Sequence, residues 1–235
     1  FSHLKVTNSG GTALVKATAE RWQAITGCTV VEGYGLTETS PVASTNPYGK
    51  TARLGTVGIP VPGTAFKVID DNGVEQPLGE RGELWIRGRG LMRGYFRDPA
   101  ATAAVMKAGG WYASGDLGEL HADGALFVVG RLKEMIIRSG FNVYPAEVEL
   151  ALNQLPGVQR SAVVGRPEKD GNEEVIAFVE LSPDARFDEA AARERLRAQL
   201  APYKQPSRIV TVAELPTSAN GKVLKRQLQE LAATL

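Results

Sequence analysis

The stretch Gly130-Arg-Leu-Lys-Glu-Met-Ile-Ile-Arg-Ser-Gly-Phe-Asn-Val-Tyr-Pro145 divides the chain into two kinds of sequence. Before it, glycine turns and hairpin signals dominate. After it, short strand patterns alternate with amphipathic helices. Charged residues open the stretch and an apolar run follows. Gly140 lies near its middle, where a ligand or another segment can approach backbone that carries no side chain. Such a segment reads as a junction between two bodies that move, with one domain over 1–130 and a second over 131–235.

Local patterns fill in the two parts. Residues 4–7 read as a short strand running into Asn8-Ser-Gly-Gly11. Leu14, Ala17, Trp22 and Ile25 mark one face of a helix from about Ala13 to Thr26, closed by Gly27. Residues 28–31 read as a buried strand ending at Gly33-Tyr34-Gly35. Residues 65–69 alternate and meet the hairpin signal Asp70-Asp-Asn-Gly73. Residues 82–87 form a further strand, and Asp98-Pro99 opens a short helix to Lys107. Strands over 117–121 and 125–129 flank Asp123-Gly124. Beyond Pro145 come a helix ending before Pro156, strands over 158–165, 173–181 and 207–212, a mixed-charge helix over 188–200 with a solvated outer face, and a last helix from Val223 to about Leu231.

Bulk properties exclude some classes. A formal net charge of +1 leaves no basic excess, so nucleic acid is not an expected partner. No apolar run approaches the roughly 20 residues of a membrane span, and no signal peptide is expected. The single Cys28 permits no internal disulfide and fits a reducing, cytoplasmic compartment. The strand-like N-terminus lacks a methionine, so a fragment is expected, with exposed strand edges that would favour self-association.

Several residues invite chemistry. A strand running into Gly33-Tyr34-Gly35 and then Thr37-Glu38 suits phosphate, because backbone N–H groups come close with no side chain in the way. The same residues also read as a strand-turn with a surface tyrosine and a Thr-Glu cap. Asp116, in Ser114-Gly-Asp116 at the mouth of a hairpin, can accept from both hydroxyls of a ribose or cap its own turn. Arg131 and Lys133 read as solvated charges beside Glu134, and Lys204 as a solvated lysine. Lys222 ends the polar loop Pro216-Thr-Ser-Ala-Asn-Gly-Lys222, where an ammonium can reach both a carboxylate and a phosphate, or simply face water. Two motif matches fail. Gly49-Lys50-Thr51 has Ser44 where a P-loop needs glycine, and Gly88-Arg-Gly90 has Arg93 in the third glycine position of a dinucleotide fingerprint. His3 and His121 have no evident partners and read as surface.

Taken in order, Gly33-Tyr-Gly-Leu-Thr-Glu38, Ser114-Gly-Asp116, the segment from Gly130 to Pro145 and Pro216 to Lys222 resemble the adenylate-forming superfamily of acyl- and aryl-CoA ligases, peptide-synthetase adenylation domains and luciferases. The similarity is strongest to long-chain fatty-acid CoA ligases and runs over the whole chain, which starts past the middle of such an enzyme. The resemblance implies a mixed α/β and α+β fold. It would be the end of a large adenylation domain, with a parallel-sheet remnant and part of an antiparallel β-barrel, followed by a small mobile α+β domain.

It also implies roles. Tyr34 would stack on adenine, with Ser9, Gly10, Gly11, Gly33 and Gly35 along the nucleotide. Thr37 would bind the α-phosphate, Glu38 would hold Mg²⁺, Asp116 would bind the ribose, and Arg131 would touch the ribose or phosphate. Lys133 would be the hinge, Lys222 the adenylation lysine, Gly140 the passage for coenzyme A and Lys204 a contact for its phosphate. ATP, fatty acid and coenzyme A follow as expected partners, with peripheral contact at the inner membrane face through the absent N-terminal part. On this reading the fragment alone is inactive. The alternatives are an adenylation domain that loads a carrier protein and a non-catalytic nucleotide-binding module.

Overall fold

The computed structural model describes residues 1–11, 14, 16–48, 52–219 and 221–235, with Lys16, Ala17 and Asp170 described by backbone alone. The expected helix start at Ala13, the run Gly49-Lys50-Thr51 and Asn220 of the polar loop lie outside the described residues. The chain divides into two units, Phe1–Val129 and Gly130–Leu235.

In the first unit, β1 (Thr7–Ser9) and β2 (Val30–Tyr34) are parallel and joined by the crossover helix α1 (Lys16–Thr26). β1 starts later than expected, at Thr7, because its pairing begins opposite Val30. Gly27 closes α1 in the left-handed region at φ 69°, as its position implied. The short strands β3 (Ser44–Thr45) and β4 (Ile59–Pro60) extend this sheet antiparallel.

A second, antiparallel sheet contains β5 (Thr64–Ile69) and β6 (Arg81–Gly88). After the helix α2 (Pro99–Val105), capped by Asp98, come β7 (Met106–Lys107), β8 (Trp111–Leu120) and β9 (Leu126–Arg131). The expected helix to Lys107 stops at Val105 because Met106 and Lys107 pair with Tyr112 and Trp111. Phe66, Val68, Leu84, Ile86, Tyr112 and Leu126 form this unit's core.

The pairing of β6 with β8 is interrupted where it matters. Glu83 opposes Leu117, yet Trp85 opposes Ala113, so Leu84 faces the whole of Ser114-Gly115-Asp116. This is a β-bulge, a device that re-aims a side chain. Gly115 adopts φ 70°, Ser114 Oγ donates to Leu84 O at 2.7 Å, and the Gly115 N–H donates to Glu83 Oε1 at 2.9 Å. Asp116 therefore sits inside a long strand and not at a hairpin mouth as expected; the turn over Asp123-Gly124 lies beyond the end of β8.

The second unit opens with a 3-10 turn, Leu132–Glu134, and a hairpin that sequence reading missed, β10 (Ile136–Arg138) with β11 (Phe141–Val143). Then follow α3 (Pro145–Leu152), β12 (Val158–Pro167), β13 (Glu173–Leu181), α4 (Glu189–Gln199), β14 (Arg208–Val212) and α5 (Lys225–Ala232). β13 is central, antiparallel to β12 and parallel to β14. Val175, Ala177 and Val179 face the core with Leu152 and Leu196, whereas Ile176 and Phe178 face Leu215 and Leu228. Burial on both faces explains the continuous apolar run of this strand. Asp188 caps α4 by accepting from the Ala191 N–H, and Ala192 and Leu196 bury one face of that helix.

The fold is thus a mixed α/β and α+β arrangement. No helix among the described residues is long and apolar enough to cross a membrane.

Candidate functional site

The end of β2 is built around close backbone approaches. Gly10 and Gly33 abut across β1 and β2: a Cβ on Gly10 would stand 3.4 Å from Gly33 O. A Cβ on Gly33 would meet Ser44 O at 3.1 Å, and one on Gly35 would collide with Pro41 O at 1.7 Å. Only glycine fits on either side of Tyr34 without the chain shifting. Gly11 has φ 84° and Ser9 pairs in register with Glu32. Glu32 is buried; its Oε2 accepts from the Gly55 N–H at 2.9 Å, and burial pushes its carboxyl above the usual range.

Tyr34 and Asp116, read from separate motifs, meet here. The Tyr34 hydroxyl donates to Asp116 Oδ2 at 2.7 Å, and Asp116 is 4 % exposed. Burial, reinforced by the Asp116 charge, pushes the Tyr34 phenol well above its ordinary value. The Tyr34 ring packs against the core beside Phe66, so it is not the surface tyrosine of the simpler reading. The bulge presents Asp116 to Tyr34, which corrects the reading of this aspartate as a cap on its own turn.

Thr37 and Glu38 lie on a 3-10 turn, Thr37–Thr39. The residue that holds this turn is Thr39, whose hydroxyl accepts from the Leu36 N–H at 2.9 Å. Thr37 is exposed and Glu38 half-buried. Glu38 O accepts from the Met92 N–H at 2.8 Å, and a Cβ on Gly90 would stand 2.6 Å from Thr39 O. The glycine of the failed dinucleotide match is thus explained by contact with this turn. Tyr95 donates to Glu38 Oε1 at 3.0 Å and in turn accepts from Tyr112. Burial, then the bond to Tyr95 and the Glu38 charge, push the Tyr112 phenol upward. Tyr95 and Tyr112 were missed because nothing local in the sequence links them to Glu38. Among the described residues no group of three metal-ligating side chains exists. A cation at Glu38 would take most of its ligands from phosphate and water, as Mg²⁺ commonly does.

In the second unit, Lys133 is exposed on the 3-10 turn, and Arg131 precedes that turn in extended conformation. Glu134, read as their neighbour in charge, places its Oε2 2.8 Å from Lys225 Nζ. Gly140 lies in the turn between β10 and β11, with Ser139 at φ 53° and Gly140 at φ 78°. A Cβ on Gly140 would meet no atom of the chain within 4 Å, and its left-handed backbone itself calls for glycine there. Phe141 stacks on Tyr203 at 4.6 Å. Lys204 is not solvated. Its side chain is 17 % exposed and its Nζ reaches both carboxylate oxygens of Glu147, at 2.6 and 2.9 Å.

Lys222 is exposed, and described residues on either side of it are joined by backbone hydrogen bonds. The Ser218 N–H donates to Lys222 O at 2.8 Å, the Gly221 N–H to Ser218 O, and the Leu224 N–H to Pro216 O. Sequence reading missed Lys225, which looks like one more helix lysine. Burial lowers its ammonium, but Glu149 and Glu134 together raise it further, so the net shift is upward.

Two family models match the chain. One described as AMP-binding enzyme covers residues 1–96, and one described as AMP-binding enzyme C-terminal domain covers residues 147–222. A long-chain-fatty-acid–CoA ligase of Yersinia pestis is 42 % identical over 98 % of this chain and 41 % of its own length. ATP-bound MatB from Rhodopseudomonas palustris superposes with a TM-score of 0.93 at 37 % identity, over 99 % of this chain and 46 % of that one. The anthranilate CoA ligase AuaEII in complex with anthranoyl-AMP gives a TM-score of 0.89 at 33 % identity, over 100 % of this chain and 46 % of that one. The chain spans about two-fifths of the length of the curated relatives it matches.

Proposed function

Because the chain belongs to the AMP-binding enzyme family, we propose that it is part of an ATP-dependent ligase that activates a fatty acid as its acyl-adenylate and passes the acyl group to coenzyme A. The observation that carries this reading is the Tyr34–Asp116 hydrogen bond. It joins the two residues expected to hold adenine and ribose, 82 positions apart in the chain. The fatty acid is supported by the name of the Yersinia relative.

In the first half-reaction a carboxylate oxygen attacks the α-phosphorus of ATP, the bridging bond to the β-phosphate breaks, and pyrophosphate leaves. Positioning and charge neutralisation do most of this work. Thr37 would donate to the α-phosphate from its exposed turn. A Mg²⁺ held by Glu38 would neutralise phosphate charge when bound. Asp116, aligned by Tyr34, would accept from ribose hydroxyls. Lys222 would bring a positive charge to the attacking carboxylate and the phosphate. In the second half-reaction the coenzyme A sulfur attacks the acyl carbon, the bond to AMP breaks, and the thiol proton passes to solvent.

The test separates the halves in the complete enzyme. Lys222→Ala is expected to lower fatty-acid-dependent ATP–pyrophosphate exchange about a hundredfold or more, by analogy with the loss of one preorganised charge-stabilising group. Thioester formation from supplied acyl-adenylate should persist. Equal loss of both halves would contradict the assignment.

A further inference from the structure

We propose that Lys225 is a positioning residue that fixes Lys222 with respect to the turn carrying Lys133. The inference rests on the functional reading above and extends it to a residue outside the reacting groups.

Lys225 opens α5, three residues after Lys222. Its Nζ lies 2.8 Å from Glu134 Oε2 and 2.9 Å from Glu149 Oε1. Glu134 directly follows Lys133 on the 3-10 turn, so the ammonium ties the start of α5 to that turn. Glu149 belongs to α3, and its Oε1 also accepts from the Val163 N–H of β12 at 2.8 Å. One cation thus gathers the first turn of α5, the 3-10 turn, and a helix hydrogen-bonded to the sheet. The Lys225 side chain is 21 % exposed, and those of Glu134 and Glu149 are 28 % and 19 % exposed. Charges so enclosed are screened less by solvent than surface ion pairs.

The geometry of the loop carries this anchor back to Lys222. Thr217 bridges Val223, and the Leu224 N–H donates to Pro216 O at 2.8 Å, closing the loop immediately before Lys225. A displaced start of α5 therefore moves Lys222 with it. Lys225 itself is turned toward its two carboxylates, so it positions and does not react. Removing its charge would leave two carboxylates facing one gap, and their repulsion would open it.

The experiment compares Lys225→Met, Lys225→Arg, Glu134→Gln and Lys222→Ala in the complete ligase, measuring exchange and thioester formation from supplied acyl-adenylate separately. Lys225→Met is expected to lower exchange about tenfold to a hundredfold, the scale of a misplaced catalytic group, while the thioester step changes little. Arginine should restore most of the exchange, and Glu134→Gln should shift it in the same direction as methionine by a smaller factor. If Lys225→Met does not fold, Glu134→Gln decides. Loss of both halves alike, or of neither, in Lys225→Met or Glu134→Gln while Lys222→Ala blocks exchange would overturn the inference alone. Exchange undisturbed by Lys222→Ala would remove the functional reading and the inference with it.

Discussion

Tyr34 and Asp116 share a 2.7 Å hydrogen bond although β2 and β8 belong to different sheets of the first unit. The bond depends on glycine-flanked backbone at one end and a bulge at the other. Its removal should therefore be felt both as stability and as nucleotide affinity.

Tyr34→Phe deletes the donor and keeps the ring. A hydrogen bond to a charged group contributes about 1.5–3 kcal/mol. All three tryptophans, Trp22, Trp85 and Trp111, precede Gly130, so tryptophan fluorescence reports the first unit selectively. Denaturant unfolding followed by fluorescence should show a destabilisation of that order, and the KM for ATP in the complete enzyme should rise. An unchanged midpoint would show that the bond contributes nothing.

The phenols make a pH prediction with a definite sign. Tyr34, Tyr95 and Tyr112 are all shifted above the ordinary 10.0, which means that the fold favours their neutral forms. The stability they contribute is full below pH 10.0 and is lost as pH rises through their folded values. Phenolate absorbance of the folded chain should show a late-titrating class among the six tyrosines. Tyr34→Phe and Tyr112→Phe should each remove one member of that class.

Gly35→Ala should be far more damaging than Gly10→Ala. The first added Cβ would stand 1.7 Å from Pro41 O, and the second 3.4 Å from Gly33 O, an ordinary contact. Soluble yield and the fluorescence midpoint of the two variants compare them directly; equal behaviour would mean that the turn after β2 yields more easily than its geometry indicates.

Lys133→Pro tests whether Lys133 acts as a hinge, without removing the turn. Met135 N–H donates to Leu132 O at 3.3 Å, and residue 133 occupies the second place of that turn, where proline is well tolerated. The variant should fold, with far-ultraviolet circular dichroism unchanged. In the complete enzyme it should retain exchange and lose thioester formation. An undisturbed thioester step would count against a hinge at Lys133.

Much of this molecule was legible wherever the deciding information was local. β13 matched its expected bounds because its apolar run and flanking acids are contiguous. Asp188 and Asp98 cap helices from the adjacent position. Gly27 closes α1 for the same reason. Gly33-Tyr34-Gly35 and Asp116 were readable as motifs, but the hydrogen bond between them was not. What escaped depends on distant partners. Lys225 resembles a surface lysine until Glu134 and Glu149 are brought around it. Tyr95 gains meaning from Glu38, and Lys204 from Glu147. The hairpin of β10 and β11 was hidden because each strand spans only three residues.

The bulge at Ser114-Gly115 has a consequence for how this chain tolerates changes in length. Between the paired positions Ala113 and Leu117 lie two more residues than between Trp85 and Glu83. Side chains alternate with a period of two, so an even insertion leaves Tyr112 on one side and Gly118 on the other in phase. Deleting one residue there would invert everything downstream to Leu120, whereas deleting a pair would cost the aspartate its presentation and leave the alternation of the sheet intact. Nature or an engineer can thus edit this spot in twos.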